Sequence, residues 1–229
     1  MKRLVQPELL DTLPPEDPLA IGSRRDLRRV NWWMGNHRIM RRALQSRLAG
    51  QGPGRLLELG AGDGDFLLRV VKDFAPPWPN PKATLLDRQP AITSSTVAAF
   101  AKHGWQVDTL VADVFDYPPL NEPVAAVLAN LFLHHFEADA LARLLLQISR
   151  QTNLFVAVEP HRFSQPAACG QLLRLIGCNS VTLHDAEVSV QAGFLRREIA
   201  GLWPDQQAWE LTERRTGFFS HLFVAQRRR

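Results

Sequence analysis

Glu58, Asp87, Asp113, Asn130 and Glu159 share one feature of position: each ends or directly follows a short apolar run that suits a buried strand. Four are carboxylates and one is an amide, groups that accept hydrogen bonds from ammonium, hydroxyl and amine donors. After Glu58 come Leu59 and then Gly60-Ala61-Gly62-Asp63-Gly64, three glycines at alternate positions. Without side chains there, a ligand can approach the backbone closely. Phe66, Leu67, Val70, Val71 and Phe74 predict a helix starting at once, capped by Asp63 or Asp65, whose free N-terminal amides suit a carboxylate or phosphate. In a dinucleotide-binding loop the third glycine comes one residue later, and the Glu58 carboxylate would repel a pyrophosphate. An amino-acid headgroup with an ammonium fits better. Asp87, at the end of the next strand, is placed to accept both hydroxyls of a ribose, one on each oxygen.

At this point the chain resembles the class I S-adenosylmethionine-dependent methyltransferases, whose first motif reads acid-x-Gly-x-Gly-x-Gly. The resemblance covers residues 25 to 226 and includes the order of the motifs. It implies S-adenosylmethionine as methyl donor, S-adenosylhomocysteine as product and no metal. Glu58, Gly60, Ala61, Gly62 and Gly64 would hold the amino-acid end, Asp87 and Arg88 the ribose and adenosine, and Asp113 and Val114 the adenine, with Asn130 and Leu131 lining the rest of the cleft. Methylases of exocyclic amines and glutamine amides follow that Asn or Asp with Pro-Pro-aromatic. Here Asn130-Leu-Phe-Leu-His-His135 has no proline, which disfavours nucleic acid as substrate and resembles enzymes of quinone, polyketide and other natural-product pathways. Alternative readings are an RNA methyltransferase that uses the basic N-terminal segment, or a non-catalytic cofactor-binding protein.

A phenol has a pKa of about 10, so a base within hydrogen-bond reach would speed its methylation by about 100-fold or more. His135 is the first candidate and His134 the second, both in the short loop beyond the fourth strand. His184 with Asp185 is the next pair. Glu159 and His161, after the fifth strand, are candidates for the substrate side. Trp32, Trp33 and Arg38 belong to a segment, Arg29 to Arg38, that the resemblance makes a lid over cofactor and substrate, lined also by Asn31 and Asn36.

These residues need a scaffold that brings strand ends together. Strands are predicted at 56–59, 83–86, 105–112, 124–129 and 154–158, with helices between them, and this alternation implies a parallel sheet with right-handed crossovers. Its ligands lie beyond the carboxyl ends of the strands. Two strand-like runs, 208–215 and 218–226, meet at Thr216-Gly217 as a hairpin. The expected architecture is a Rossmann-like, doubly wound sheet of seven mainly parallel strands with a C-terminal antiparallel strand. Residues 1–23 are expected to be a loose lead-in, 24–50 a helical N-terminal lid and 55–226 the core of one domain. A proline-rich loop is expected at 75–81.

The 229 residues suffice for one sizeable core, and 45% hydrophobic with 22% charged residues is a globular balance. No apolar run approaches the roughly 20 residues of a membrane span, and the prolines of the first residues do not suit a secretory signal. Cys169 and Cys178 lack metal-ligand spacing and read as free thiols, which points to the cytoplasm. A formal charge of +4 permits an anionic partner without requiring one.

Overall fold

The computed structural model describes residues 2–14, 16–48, 54–74, 79–118, 120 and 122–228. Most of the expected proline-rich loop, 75–78, and the turn at 49–53 lie outside them. Helices α1 (Pro18–Met34) and α2 (Asn36–Leu48) come first. Asp17 caps α1 through its carboxylate, Pro18 stands at its first turn, and Gly35 ends it in a left-handed conformation at φ 71°. Then strands and helices alternate: β1 (Arg55–Leu59), α3 (Asp65–Lys72), β2 (Lys82–Asp87), α4 (Ser94–Lys102), β3 (Gln106–Val111), β4 (Val124–Asn130), α5 (Ala138–Gln151), β5 (Leu154–Pro160). After α6 (Pro166–Leu175), α7 (Ser180–Ala192) and α8 (Glu198–Leu202), β6 (Trp209–Thr216) and β7 (Ser220–Arg227) close the sheet.

The seven strands run in the order β3-β2-β1-β4-β5-β7-β6, with β7 antiparallel to both its neighbours. The order reverses between β1 and β4, which pair in parallel from Leu56–Ala126 to Leu59–Ala129. At such a reversal the loops leaving the two strands diverge and open a crevice above their carboxyl ends. Alternate residues of the buried strands feed two cores. Leu56, Ala83, Leu85 and Val156 pack with Met40 and Leu44 of α2 and Leu67, Val70 and Val71 of α3. On the other face Leu57, Leu59, Val127 and Phe155 pack with Leu141, Leu144, Leu145 and Ile148 of α5 and with Trp203 and Trp209. The sheet is therefore covered on both sides, as parallel strands require.

Two features differ from the sequence reading. The lead-in is not loose: Leu4 N–H donates to the Gln191 carbonyl, and the Arg3 guanidinium donates to the carbonyls of Ala192, Phe136 and His134 while lying 4.6 Å over the Phe194 ring. Residues 3–11 form a strap over the carboxyl ends of the strands. Its hydrogen-bond partners come from distant parts of the chain, so composition alone could not assign them. Helix α7 is the second, where three valines and Thr182, weak helix formers, give no helix signal; Asn179 caps it by accepting from Thr182 N–H, and Val181, Asp185 and Val188 are buried against the body.

Candidate functional site

A cleft of about 570 Å³ opens over the ends of β1, β2, β3 and β4. Local backbone shape makes its floor. Gly60, Gly62 and Gly64 all have positive φ, which L side chains rarely adopt. At Gly60 a Cβ would also stand 2.2 Å from the Phe132 ring, so only glycine fits. The loop is pinned to β2, with Ala61 N–H donating to the Leu86 carbonyl at 3.0 Å and Gly62 N–H to Asp87 Oδ2 at 2.7 Å.

Glu58 is buried beneath this loop, and its Oε2 has no hydrogen-bond partner. Burial pushes its pKa well above the usual carboxylate range, and Asp63, Asp87 and Asp65 push it further. A buried carboxyl among three others is a site that a cation would relieve. Asp87 lines the cleft while its Oδ1 accepts from Gln89 N–H at 2.8 Å. Each of its oxygens has a second lone pair, so two hydroxyls can still be received. Arg88, Asp113 and Val114 line the adjoining wall, where Asp113 Oδ1 accepts from Phe115 N–H. Asn130 and Leu131 line the opposite wall. Asn130 accepts from Asn36 Nδ2 and donates to Asn31 Oδ1, both at 3.1 Å, and thereby ties α1 and α2 to the end of β4. Of the cofactor residues expected from sequence, Gly64 alone is absent from the lining: its Cβ position faces Leu85 and Thr96, so it serves the entry into α3.

The histidines separate by their surroundings. Glu159, expected on the substrate side, is fully buried, and its Oε1 accepts from the amides of Phe132 and Leu133 at 3.1 and 3.0 Å. Its Oε2 accepts from His134 N–H at 3.3 Å and faces His134 Nδ1 at 2.9 Å. It holds the 133–135 turn in place and has nothing left for a substrate. His134 Nε2 faces Glu8 Oε1 of the strap at 3.1 Å. Burial works against a charge on His134, but the hydrogen bonds to Glu159 and Glu8 outweigh it and raise its pKa to about 9. Burial likewise opposes ionisation of Glu8, and the bond to His134 overrides it, bringing Glu8 to about 2. His134 is therefore an imidazolium clamped between two carboxylates and cannot take up a proton at neutral pH, which corrects its assignment as a base. The ligand atoms of Glu8, His134 and His135 lie close enough to share a metal ion.

His135 lines the cleft, with Nδ1 3.3 Å from Asp11 Oδ2 and Nε2 4.0 Å from Glu8 Oε2. His184 and Asp185 are not brought to it. The His184 side chain is 48% exposed on α7, and Asp185 accepts the amides of Leu9 and Leu10 at 2.8 and 3.0 Å, fastening the strap. His161 is also away from the cleft, its ring stacked 5.7 Å from that of His221; burial, then His221, Arg215 and Arg162, lower its pKa to about 4. Trp32 and Trp33, 56% and 52% exposed, face a second hollow rather than the cleft, and Arg38 is exposed and lines neither. The sequence reading missed Val5, Gln6, Pro7, Glu8, Leu10 and Asp11, which roof the cleft, and Arg28, whose guanidinium is 2.8 Å from Asp63 Oδ2. No local pattern marks the strap; only Arg3 and Glu8 in an otherwise plain segment hint at fixed partners.

Residues 56–153 match a family model described as a methyltransferase domain. A comparison with curated proteins finds no match. Among solved structures, the plantazolicin methyltransferase BpumL in complex with SAH has a TM-score of 0.63 at 11% identity, over 93% of this chain and 92% of that one. The same enzyme with a monoazolic desmethylPZN analog and SAH has a TM-score of 0.67 at 13% identity, over 93% and 91%. The mitomycin 7-O-methyltransferase MmcR has a TM-score of 0.60 at 19% identity over 96% of this chain, which spans 60% of that one. At these identities the structural likeness is one of fold. The buried, unpaired Glu58 carboxyl suits an ammonium donor, and the lone pairs of Asp87 and Asp113 at the cleft suit hydroxyl and amine donors. Among the described residues no helix is long and apolar enough to cross a membrane.

Proposed function

We propose that this S-adenosylmethionine-dependent methyltransferase methylates a small natural-product-type molecule at a hydroxyl, a phenolic or polyketide-type oxygen, with His135 as the base. When bound, S-adenosylmethionine supplies an electrophilic methyl and leaves as S-adenosylhomocysteine. Glu58 and the glycine loop hold the amino-acid end of that cofactor, Asp87 orients its ribose, and Asn130 borders the place where the acceptor must enter. His135 takes the hydroxyl proton as the new O–C bond forms, so that the nucleophile attacks as an oxyanion.

The observation that carries the reading is the contrast between the two adjacent histidines. Both His134 nitrogens are within hydrogen-bond distance of carboxylates, at 2.9 and 3.1 Å, whereas at the cleft His135 has only Nδ1 near one, 3.3 Å from Asp11, with Nε2 4.0 Å from Glu8 and open to a substrate. The absence of Pro-Pro after Asn130 supports a hydroxyl acceptor over an exocyclic amine, and MmcR, whose fold this chain shares, is named an O-methyltransferase. The test is incubation with S-adenosylmethionine and a panel of phenols, their amine counterparts and structured RNA, followed by mass spectrometry. Phenols should gain one CH2 with stoichiometric release of S-adenosylhomocysteine. Methylation confined to amines or RNA refutes the proposal.

A further inference from the structure

Helix α1 presents two different faces to two different spaces. Arg24, Leu27, Arg28 and Asn31, at helical spacing, line the cofactor cleft. Arg25, Arg29, Trp32 and Trp33 line a second hollow, of about 670 Å³, that α1 shares with α6 and with Arg69 of α3. Arg28 lines both, so its side chain, paired with Asp63, stands between the two spaces. Leu172, Leu173 and Ile176 give the hollow an apolar wall, and none of the described residues that line it is acidic.

Its arginines are not equivalent. Arg28 pairs with Asp63, Arg29 with Asp26 and Arg69 with Asp65, so three of the four positive charges are already matched. Arg25 is exposed and has no ion pair or hydrogen bond among the described residues. Two half-exposed indoles beside leucine and isoleucine side chains form an apolar surface that a ligand can cover, and a volume of this size suits a small organic molecule. Indole faces and a guanidinium plane together favour a flat, conjugated body with a negative end, since the ring surfaces stack and the fork binds a carboxylate with two hydrogen bonds.

We infer that this hollow recognises an aromatic or conjugated carboxylate, with Arg25 reading its charge and Trp32 its flat body. The inference rests on the proposed function in one respect: the molecule bound here is the methyl acceptor, its hydroxyl end directed past Arg28. An acceptor lacking the anionic group binds less well for want of a partner for Arg25.

Calorimetry on the full chain with S-adenosylhomocysteine present tests this with two probes of one shape, naphthalene-2-carboxylate and naphthalene-2-carboxamide. The carboxylate should bind at least tenfold more tightly. Arg25→Gln should bring it down to the level of the carboxamide, and Trp32→Ala should weaken both probes. Equal binding of the two by the wild type, a preference that survives Arg25→Gln, or indifference to Trp32→Ala overturns the inference. Turnover of 6-hydroxynaphthalene-2-carboxylate and of its methyl ester separates it from the function. Arg25-dependent binding without methylation of either leaves the hollow as assigned and defeats the O-methylation reading. Methylation of both at equal kcat/KM, unchanged in Arg25→Gln, does the reverse.

Discussion

The clamp around His134 makes the N-terminal strap sensitive to alkali in a way that can be measured. The folded pKa of about 9 stands above the ordinary 6.5, so the protonated ring contributes stability that is fully present below pH 6.5 and is lost as pH rises through 9. Glu8 works in the other direction: depressed from 4.5 to about 2, it contributes above pH 4.5 and loses its contribution as pH falls through 2. Between pH 4.5 and 6.5 both contributions are complete. The shift of His134 corresponds to about 3 kcal/mol at roughly 1.4 kcal/mol per pH unit, and the Glu8 shift is largely the same interaction seen from its partner, so the two are not added. The His134 side chain is only 3% exposed, which leaves little room for solvent to screen the interaction. Urea unfolding at pH 6.5 and pH 10.5 should therefore show the wild type losing about 3 kcal/mol more than His134→Gln, a variant that corrects for every other group titrating in that range. If the strap detaches before the body unfolds, proteolytic cleavage within residues 3–11 should rise over the same interval in the wild type and be pH-independent in His134→Gln. Parallel pH curves for the two proteins, in both assays, would refute the assignment of a charged His134.

Asp87→Ala should weaken S-adenosylmethionine binding tenfold or more, since it removes two hydroxyl acceptors worth roughly 1.5 to 3 kcal/mol each and frees the Gly62 amide; wild-type affinity in a folded variant, measured by calorimetry, would dismiss its role. Gly60→Ala should abolish cofactor binding and lower the melting temperature, because the new Cβ meets the Phe132 ring at a φ that alanine avoids; binding retained with Phe132 intact would show that the loop yields. His135→Ala should lower single-turnover rates on a phenol by about 100-fold with cofactor affinity little changed; a rate that survives the substitution excludes it as the base.

The part of the site that sequence discloses is the part that one strand end and its loop build alone. Glu58, the glycine loop, Asp87, Asp113 and Asn130 each carry a local signal, and the strand-helix alternation then dictates that they converge. The strap contacts carry no such signal: Glu8 meets His134 across 126 positions, and Asp185 meets Leu9 across 176. His184 and Asp185 do pair, with Nδ1 3.0 Å from Oδ1, but they line α7 away from the cleft, and the carboxylate also fastens the strap through the amides of Leu9 and Leu10. Trp32 and Trp33 stand on α1 but line the second hollow rather than the cofactor cleft, since a segment rich in both arginine and tryptophan does not announce which stripe points inward.

Glu159 shows where position stops being informative. It stands next to last in its strand as Glu58 does, both are carboxylates, and both are buried. What divides them is the number of donors the protein itself provides. Glu159 receives three backbone amides and a ring nitrogen, so its hydrogen-bonding capacity is consumed in shaping the turn that carries His134 and His135. Glu58 keeps a buried oxygen without any partner, in the company of Asp63, Asp65 and Asp87. An unsatisfied buried carboxyl costs about 1 to 3 kcal/mol or more, and a ligand that brings an ammonium recovers it. In this fold, then, a strand end locates candidate residues, and the local count of donors decides which of them hold the ligand and which hold the site.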